Sequence, residues 1–235
     1  MILPTYNEKD SIRRVIGEFF SVGVVDEVLV VNNNAVQGTS EQVAGTGARE
    51  VFEPRQGYGA AIRRGFREVS GDIIVLSEPD GTFSAHDILK LLAYSDDFNA
   101  VFGTRTTTVM IWKGANMGPF LKWGNYFVAK MIELLFNTTI LTDVGCTMRL
   151  IKRTALEKIE NQFTVDREHF GPEMMLLVIL NRVKYIEIPV NYLPRVGRSS
   201  VTGHWGRTIK LALRMVFLIW RYRIKSWLEF RPKGR

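Results

Sequence analysis

Glu78-Pro79-Asp80 sets two carboxylates directly after the run Asp72-Ile73-Ile74-Val75-Leu76-Ser77. Acids at the C-terminal end of a parallel strand project into the crevice where open α/β sheets take their ligands. Such a pair suits a hard divalent cation, Mg2+ or Mn2+, bridging protein carboxylates and substrate phosphates. The plainer reading is an acidic turn after a strand. Arg55-Gln56-Gly57-Tyr58-Gly59-Ala60-Ala61 is a glycine-bearing turn into a helix, where bare amides favour phosphate. No Gly-Lys-Ser/Thr follows, so it is not a Walker A, and the strand before it is poor for a dinucleotide fingerprint. Arg105, Arg149 and Arg195 offer guanidinium forks that match phosphate oxygens in two-point geometry. Each alone reads equally well as a solvated surface charge. His86, His169 and His204 have neither metal spacing nor a serine partner, and Cys146 reads as a small buried hydrophobe.

These side chains need a scaffold that brings strand ends together. Over the first ~105 residues, short apolar runs alternate with helical patterns, as in parallel βαβ units. Ile2-Leu3, Val28 to Val31, Ile73 to Leu76 and Ala100 to Phe102 are continuous apolar runs, expected of strands covered on both faces. Ile12, Val15, Ile16, Phe19 and Phe20 recur at helical spacing, and Ala60 to Val69 forms a second helix. Ser84 with Asp87 resembles a capping box opening a helix from Ser84 to Leu92. Gln37 to Gly47 reads as a loop. Tyr185 to Tyr192 alternates like a strand, and Pro189 puts it at an edge or a strand end.

The 235 residues allow one domain with an appendage, or two small domains. One cysteine and three scattered histidines exclude a disulfide framework and a zinc cluster, and a reducing compartment is expected. The chain carries a net +7, yet from Gly203 to Arg235 nine basic residues face only Glu229. A near-neutral globule thus precedes a strongly basic tail. In Arg207 to Lys225, the cations Arg207, Lys210, Arg214, Arg221 and Lys225 form one stripe on an apolar helix. Phe120 to Asn137 has a similar narrow polar stripe of Lys122, Tyr126, Lys130, Glu133 and Asn137. Both are too short in uncharged stretch to span a bilayer and suit the plane of a membrane interface. Alternatively they are core helices whose charged edge reaches water. For the tail the cation stripe favours anionic lipid. Nucleic acid is not the expected partner, because so broad an apolar face has no use on a phosphate backbone.

Taken in order along the chain, these features resemble family 2 glycosyltransferases of the GT-A fold. Leu3-Pro4-Thr5-Tyr6-Asn7-Glu8 looks like that family's opening, and Gly57-Tyr58-Gly59-Ala60-Ala61 its glycine turn. Val31-Asn32-Asn33-Asn34 stands where the family usually has paired aspartates, and Glu78-Pro79-Asp80 falls at its Asp-x-Asp metal motif. Gly103-Thr104-Arg105, Asp143 to Arg149, Glu173, and Pro189-Val190-Asn191-Tyr192 leading to Arg195, Gly197 and Ser199 are most similar to dolichol- or polyprenyl-phosphate sugar synthases. Thr147-Met148 stands where those enzymes usually have Gly-Phe.

The resemblance implies a Rossmann-like, mostly parallel α/β sheet flanked by helices, plus amphipathic membrane-interface helices. It divides the chain into a GT-A domain at 1–203, with a helical insert at about 110–137, and a basic tail at 204–235. It implies inverting transfer of a hexose, of mannose or glucose type, from a GDP- or UDP-sugar to a polyprenyl phosphate. The setting would be the cytoplasmic face of a membrane, with a membrane partner subunit or a homo-oligomer left open. Pro4, Tyr6, Glu8, Asn32 and Gly57 would hold the nucleotide sugar, and Glu78 and Asp80 the Mg2+ or Mn2+. Arg105, Arg149, Arg195 and Ser199 would hold the acceptor phosphate, with Asp143 the candidate base. A glycan or lipid hydroxyl acceptor is the alternative, needing Glu173 or Asp143 as base. A catalytically inactive nucleotide-sugar-binding subunit is another.

Overall fold

The computed structural model describes residues 1–197 and 205–229. Seven strands form one sheet: β1 (Ile2–Thr5), β2 (Leu29–Asn32), β3 (Arg49–Phe52), β4 (Ile73–Leu76), β5 (Ala100–Thr104), β6 (Arg149–Lys152) and β7 (Tyr185–Pro189). Their order across the sheet is β3-β2-β1-β4-β6-β5-β7. β6 alone runs antiparallel, wedged between β4 and β5. The expected mostly parallel sheet is therefore present, and the expected edge strand at Pro189 is β7, parallel to β5.

Alternation along each strand sorts the core into two layers. Ile2, Val31, Ile74, Leu76, Phe102 and Ile151 face one layer, with helices α3 (Tyr58–Glu68), α5 (Pro119–Phe136), α6 (Arg153–Ile159), α7 (Phe170–Leu180) and α8 (Trp205–Glu229) supplying its other side. Leu3, Val30, Val75, Val101, Leu150 and Ile188 face the other, under α1 (Lys9–Ser21) and α4 (Asp87–Ser95). Apart from Glu173, α7 is apolar around its circumference because it is buried between sheet and helices.

Several local expectations are corrected. The loop at 37–47 contains the short helix α2 (Thr39–Val43). β3 has no apolar run, because it is a half-exposed edge. The Ser84–Asp87 capping box does not form: α4 starts at Asp87, whose carboxylate instead accepts from Asn191 Nδ2 at 2.9 Å and from the Asn191 amide. That bond ties α4 to the chain following β7.

α5 and α8 pack against each other, and α8 also packs on α7. On α8, Met215, Leu218, Ile219 and Tyr222 face inward, while Leu213, Phe217, Trp220 and Trp227 are exposed. On α5, Val128, Ala129 and Ile132 face inward, while Trp123, Phe127 and Leu134 are exposed. Each helix is thus apolar on two sides, one covered by the core and one open. Among the described residues, no helix is long and apolar enough to cross a membrane.

Candidate active site

The ends of β1, β2, β4, β5 and β7 and the start of β6 meet at one edge of the sheet, where the chain opens into a cleft of about 410 Å³. Pro4, Tyr6, Glu8 and Asn33 wall one end, and Glu78, Arg105 and Arg195 lie along it. Leu121 and Asn125 of α5 and Leu211 and Met215 of α8 line it as well. The cleft is thus lined by both charged and apolar side chains, the latter including Leu121, Leu211 and Met215 of the two helices with open outer faces.

Glu78 and Asp80 follow β4. Asp80 is 1% exposed and lies behind the cleft wall. Its Oδ1 accepts from the Thr82 amide at 2.9 Å and the Thr82 hydroxyl at 2.6 Å, which fixes the turn. Arg195 Nη2 donates to Glu78 Oε2 at 3.0 Å and comes within 2.5 Å of Asp80 Oδ2. That second approach lacks hydrogen-bonding direction, so Asp80 Oδ2 is buried without a hydrogen-bond partner. Burial, and then the neighbouring Asp80 charge, push the Glu78 carboxyl up to about 8 against the pull of Arg195. Two crowded acids, one with an orphaned oxygen, are what a divalent cation would relieve. Among the described residues, no group of three or more His, Cys, Asp or Glu side chains stands ready as a full ligand shell. Two carboxylates suit a cation that takes its other ligands from substrate phosphates and water.

Arg105 follows β5 and is held differently. Its Nε and Nη2 donate to Asp143 Oδ2 at 2.8 Å and Oδ1 at 3.0 Å, and its amide donates to Oδ2 at 3.0 Å. The guanidinium lies over the Tyr192 ring. The Gly145 amide also donates to Asp143 Oδ1, at 2.9 Å. Burial would raise the Asp143 carboxyl, but the Arg105 charge and these hydrogen bonds outweigh it and hold the group below the usual carboxylate range. Asp143 is thus a positioning residue for Arg105, correcting its expected role as a base. Glu187 of β7 anchors the same loop, accepting from the Thr142 amide and hydroxyl and the Asp143 amide.

Three further expectations are corrected. Arg149 sits at the right edge of the sheet but points the wrong way. Strand alternation turns it onto the Phe102 layer, where it donates to the carbonyls of Cys146, Val144 and Gly171 and stacks over Phe102. It braces the segment before β6 and holds no acceptor. Asn32 also faces away, bonding Glu50 and Ser40, while its neighbour Asn33 reaches the cleft. Asn33 Oδ1 accepts from the Gly57 amide at 2.8 Å, and its Nδ2 donates to the Glu53 and Arg55 carbonyls. The Gly57 amide is therefore engaged within the protein. Gly57 has φ +150, and a Cβ there would meet the Asp166 carbonyl oxygen at 2.0 Å. A Cβ at Gly59 would meet the Val165 oxygen at 2.4 Å, so these glycines serve close chain packing.

Pro4 and Tyr6, expected to hold the nucleotide sugar, line the cleft. Glu8 lines it too, but its Oε2 accepts from the Tyr6 and Asn7 amides and the Thr5 hydroxyl, so it shapes the turn after β1. Glu173, the alternative base, is fully buried, and its oxygens take the Thr164 amide and hydroxyl, the Val165 amide and the Tyr222 hydroxyl. Ser199 lies outside the described residues. Sequence reasoning missed Asn33, Asn125, Thr147 and Tyr192 as cleft residues. For Asn33, shifting the strand register by one residue would have found it.

Residues 1–160 match the family described as glycosyl transferase family 2. An uncharacterised glycosyltransferase of Mycobacterium tuberculosis is 29% identical over 213 residues, covering 86% of this chain and 89% of its own length. A Haloferax volcanii protein named dolichyl-phosphate hexose transferase is 25% identical over 203 residues, covering 86% and 85%. Among solved structures, glucosyl-3-phosphoglycerate synthase from Mycobacterium tuberculosis, in complex with Mn2+, UDP and glucosyl-3-phosphoglycerate, matches with a TM-score of 0.73. Its identity is 16%, covering 94% of this chain and 78% of that one. At that identity the likeness carries the GT-A fold alone. With 160 of its 235 residues matched by the family, the chain belongs to glycosyl transferase family 2.

Proposed function

We propose that this glycosyltransferase moves a hexose, with inversion, from a nucleotide-diphosphate sugar to a polyprenyl phosphate at the cytoplasmic face of a membrane. The observation that carries the reading is the mixed cleft: Glu78, Arg105 and Arg195 line it together with Leu121, Leu211 and Met215 of the helices with exposed aromatics. A prenyl phosphate has the same two-part character, a dianionic head on a hydrocarbon tail. The named Haloferax volcanii relative supports the acceptor, and the UDP and Mn2+ of the solved relative support the donor and the cation. The open faces of α5 and α8, with Lys210, Arg221 and Lys225 exposed on α8, suit an enzyme lying in the headgroup region of an anionic leaflet.

In this reading Pro4, Tyr6 and Asn33 border the nucleoside, and Glu78 and Asp80 would hold Mg2+ or Mn2+. That cation, when bound, supplies charge neutralisation for the departing diphosphate. Arg105, preset by Asp143, faces the acceptor phosphate. An acceptor phosphate is already ionised near pH 7, so a phosphate oxygen can attack the anomeric carbon without a strong base. A hydroxyl acceptor needs one, and the oxygens of both Asp143 and Glu173 are already engaged. Catalysis is then chiefly positioning and electrostatics.

The test supplies radiolabelled GDP- and UDP-hexoses to the protein on anionic vesicles containing polyprenyl phosphate, with Mg2+ or Mn2+. Label is expected in the organic phase, and Asp80→Ala should abolish it. Label passing only to a water-soluble phosphate or glycan would overturn the acceptor. No transfer from any donor would favour a binding subunit.

A further inference from the structure

We propose that Arg195 occupies the divalent cation's seat in the metal-free protein, and that the cation on binding displaces its guanidinium into the cleft. The inference rests on Glu78 and Asp80 being the cation-holding pair, and it assigns Arg195 a second position. One guanidinium nitrogen is shared between Glu78 Oε2 and Asp80 Oδ2, at 3.0 Å and 2.5 Å. A positive charge shared between these two acids stands where a divalent cation held by them would compete for the same oxygens. Asp80 does not line the cleft, whereas Arg195 does. Arg195 is thus a cleft-lining side chain that touches the buried Asp80 Oδ2, and its departure is the step by which the proposal opens that oxygen to a cation.

The contact is built to be exchanged. Arg195 Nη2 gives a single hydrogen bond, to Glu78 Oε2 at 3.0 Å, and an ion-pair contact to Asp80 Oδ2, so one nitrogen's interactions are all that the cation has to replace. The backbone on both sides of Arg195 is fixed: the Leu193 amide donates to the Thr82 carbonyl at 2.8 Å, and the Val196 amide to the Asp80 carbonyl at 2.9 Å. Only the side chain has to move, and its base stays beside the acidic pair. A divalent and a monovalent cation in one seat repel each other strongly in a poorly solvated site, so occupation is exclusive. Once displaced, the fork is free to take a phosphate. The acceptor clamp is thereby completed only when the donor's cation is in place, which favours donor binding before acceptor.

The test titrates Mn2+ into the full chain without nucleotide and follows free Mn2+ by electron paramagnetic resonance. Arg195→Gln is expected to bind Mn2+ about tenfold more tightly than the wild type. Arg195→Lys, which keeps the charge, should stay near wild type. Arg195→Gln binding no more tightly overturns the exchange. Asp80→Asn separates the two claims. If it binds like wild type, the cation seat itself fails; if it loses Mn2+ while Arg195→Gln matches wild type, only the exchange fails. A second readout needs no variant: modification of the wild type by phenylglyoxal, mapped by mass spectrometry. Mn2+ should increase labelling at Arg195 relative to Arg105, and no increase overturns the proposal.

Discussion

Two arginine–carboxylate contacts lie along the same cleft and are built on opposite principles. Arg105 meets Asp143 through two guanidinium nitrogens and its own amide, and Gly145 and Glu187 hold the loop that carries the aspartate. Arg195 meets two acids through one nitrogen and leaves a buried oxygen without a hydrogen bond. The first pair is over-determined and fixes a position. The second is under-determined and marks a place where something can be exchanged. Burial and opposite charge are common to both, so neither distinguishes scaffold from site; the count of directional bonds does.

The largest expected effect breaks the rigid pair. Asp143→Ala leaves a buried guanidinium without its partner and should cost about 3–5 kcal/mol, read from the urea midpoint, with transfer lost as well. Added Mn2+ should not restore that stability specifically. Arg195→Gln should cost less, about 1–2 kcal/mol, since it removes a single hydrogen bond and a charge contact. Here Mn2+ should raise the melting temperature by more than it does in the wild type, because a tighter ligand stabilises more by mass action. Equal rescue of both variants would erase the distinction.

pH sharpens the comparison, because the two sites titrate with opposite sign. The folded Glu78 carboxyl, at about 8, lies above its ordinary value of 4.5, so between those values the metal-free folded protein binds more protons than the unfolded chain. Stability from this group is full below about pH 4.5 and is lost as pH rises to about 8. Glu187, also raised by burial, adds a slope of the same sign. Asp143 is displaced downward, so its contribution is present above pH 3.8 and is lost as pH falls further. Urea midpoints across pH should show Glu78→Gln flattening the alkaline decline and Asp143→Asn the acid one. The smallest effect on stability is expected from Phe217→Glu, on the open face of α8: within about 0.5 kcal/mol, touching neither pair, yet weakening sedimentation with anionic vesicles.

How much was legible follows from what each element needed. Ile73–Leu76 is read to the residue, and Pro189 places β7 at an edge or a strand end, because continuous apolar runs and proline punctuation are local signals. β6 was not, since a four-residue strand antiparallel to both neighbours carries no pattern of its own. Within the site, Glu78, Asp80, Arg105 and Arg195 were recognisable by type and position. Their pairing was not, because Asp143 and Arg105 are 38 residues apart and only the fold sets one against the other. Asn32 and Arg149 show a different limit: a residue placed correctly along the chain can still face the wrong layer, since one step along a strand reverses its side.

The hydroxyl of Tyr222 reaches Glu173 at 2.8 Å, and the same carboxylate gathers Thr164 and Val165 just ahead of Asp166, whose carbonyl receives the Ala60 amide. Truncating the chain ahead of α8 would therefore cut a structural knot. Deleting α8 would uncover Met215's and Ile219's partners in the core and leave Glu173 a donor short, next to the segment that supports the glycine turn. Polar redesign of the outward residues, with the helix kept whole, leaves that knot intact.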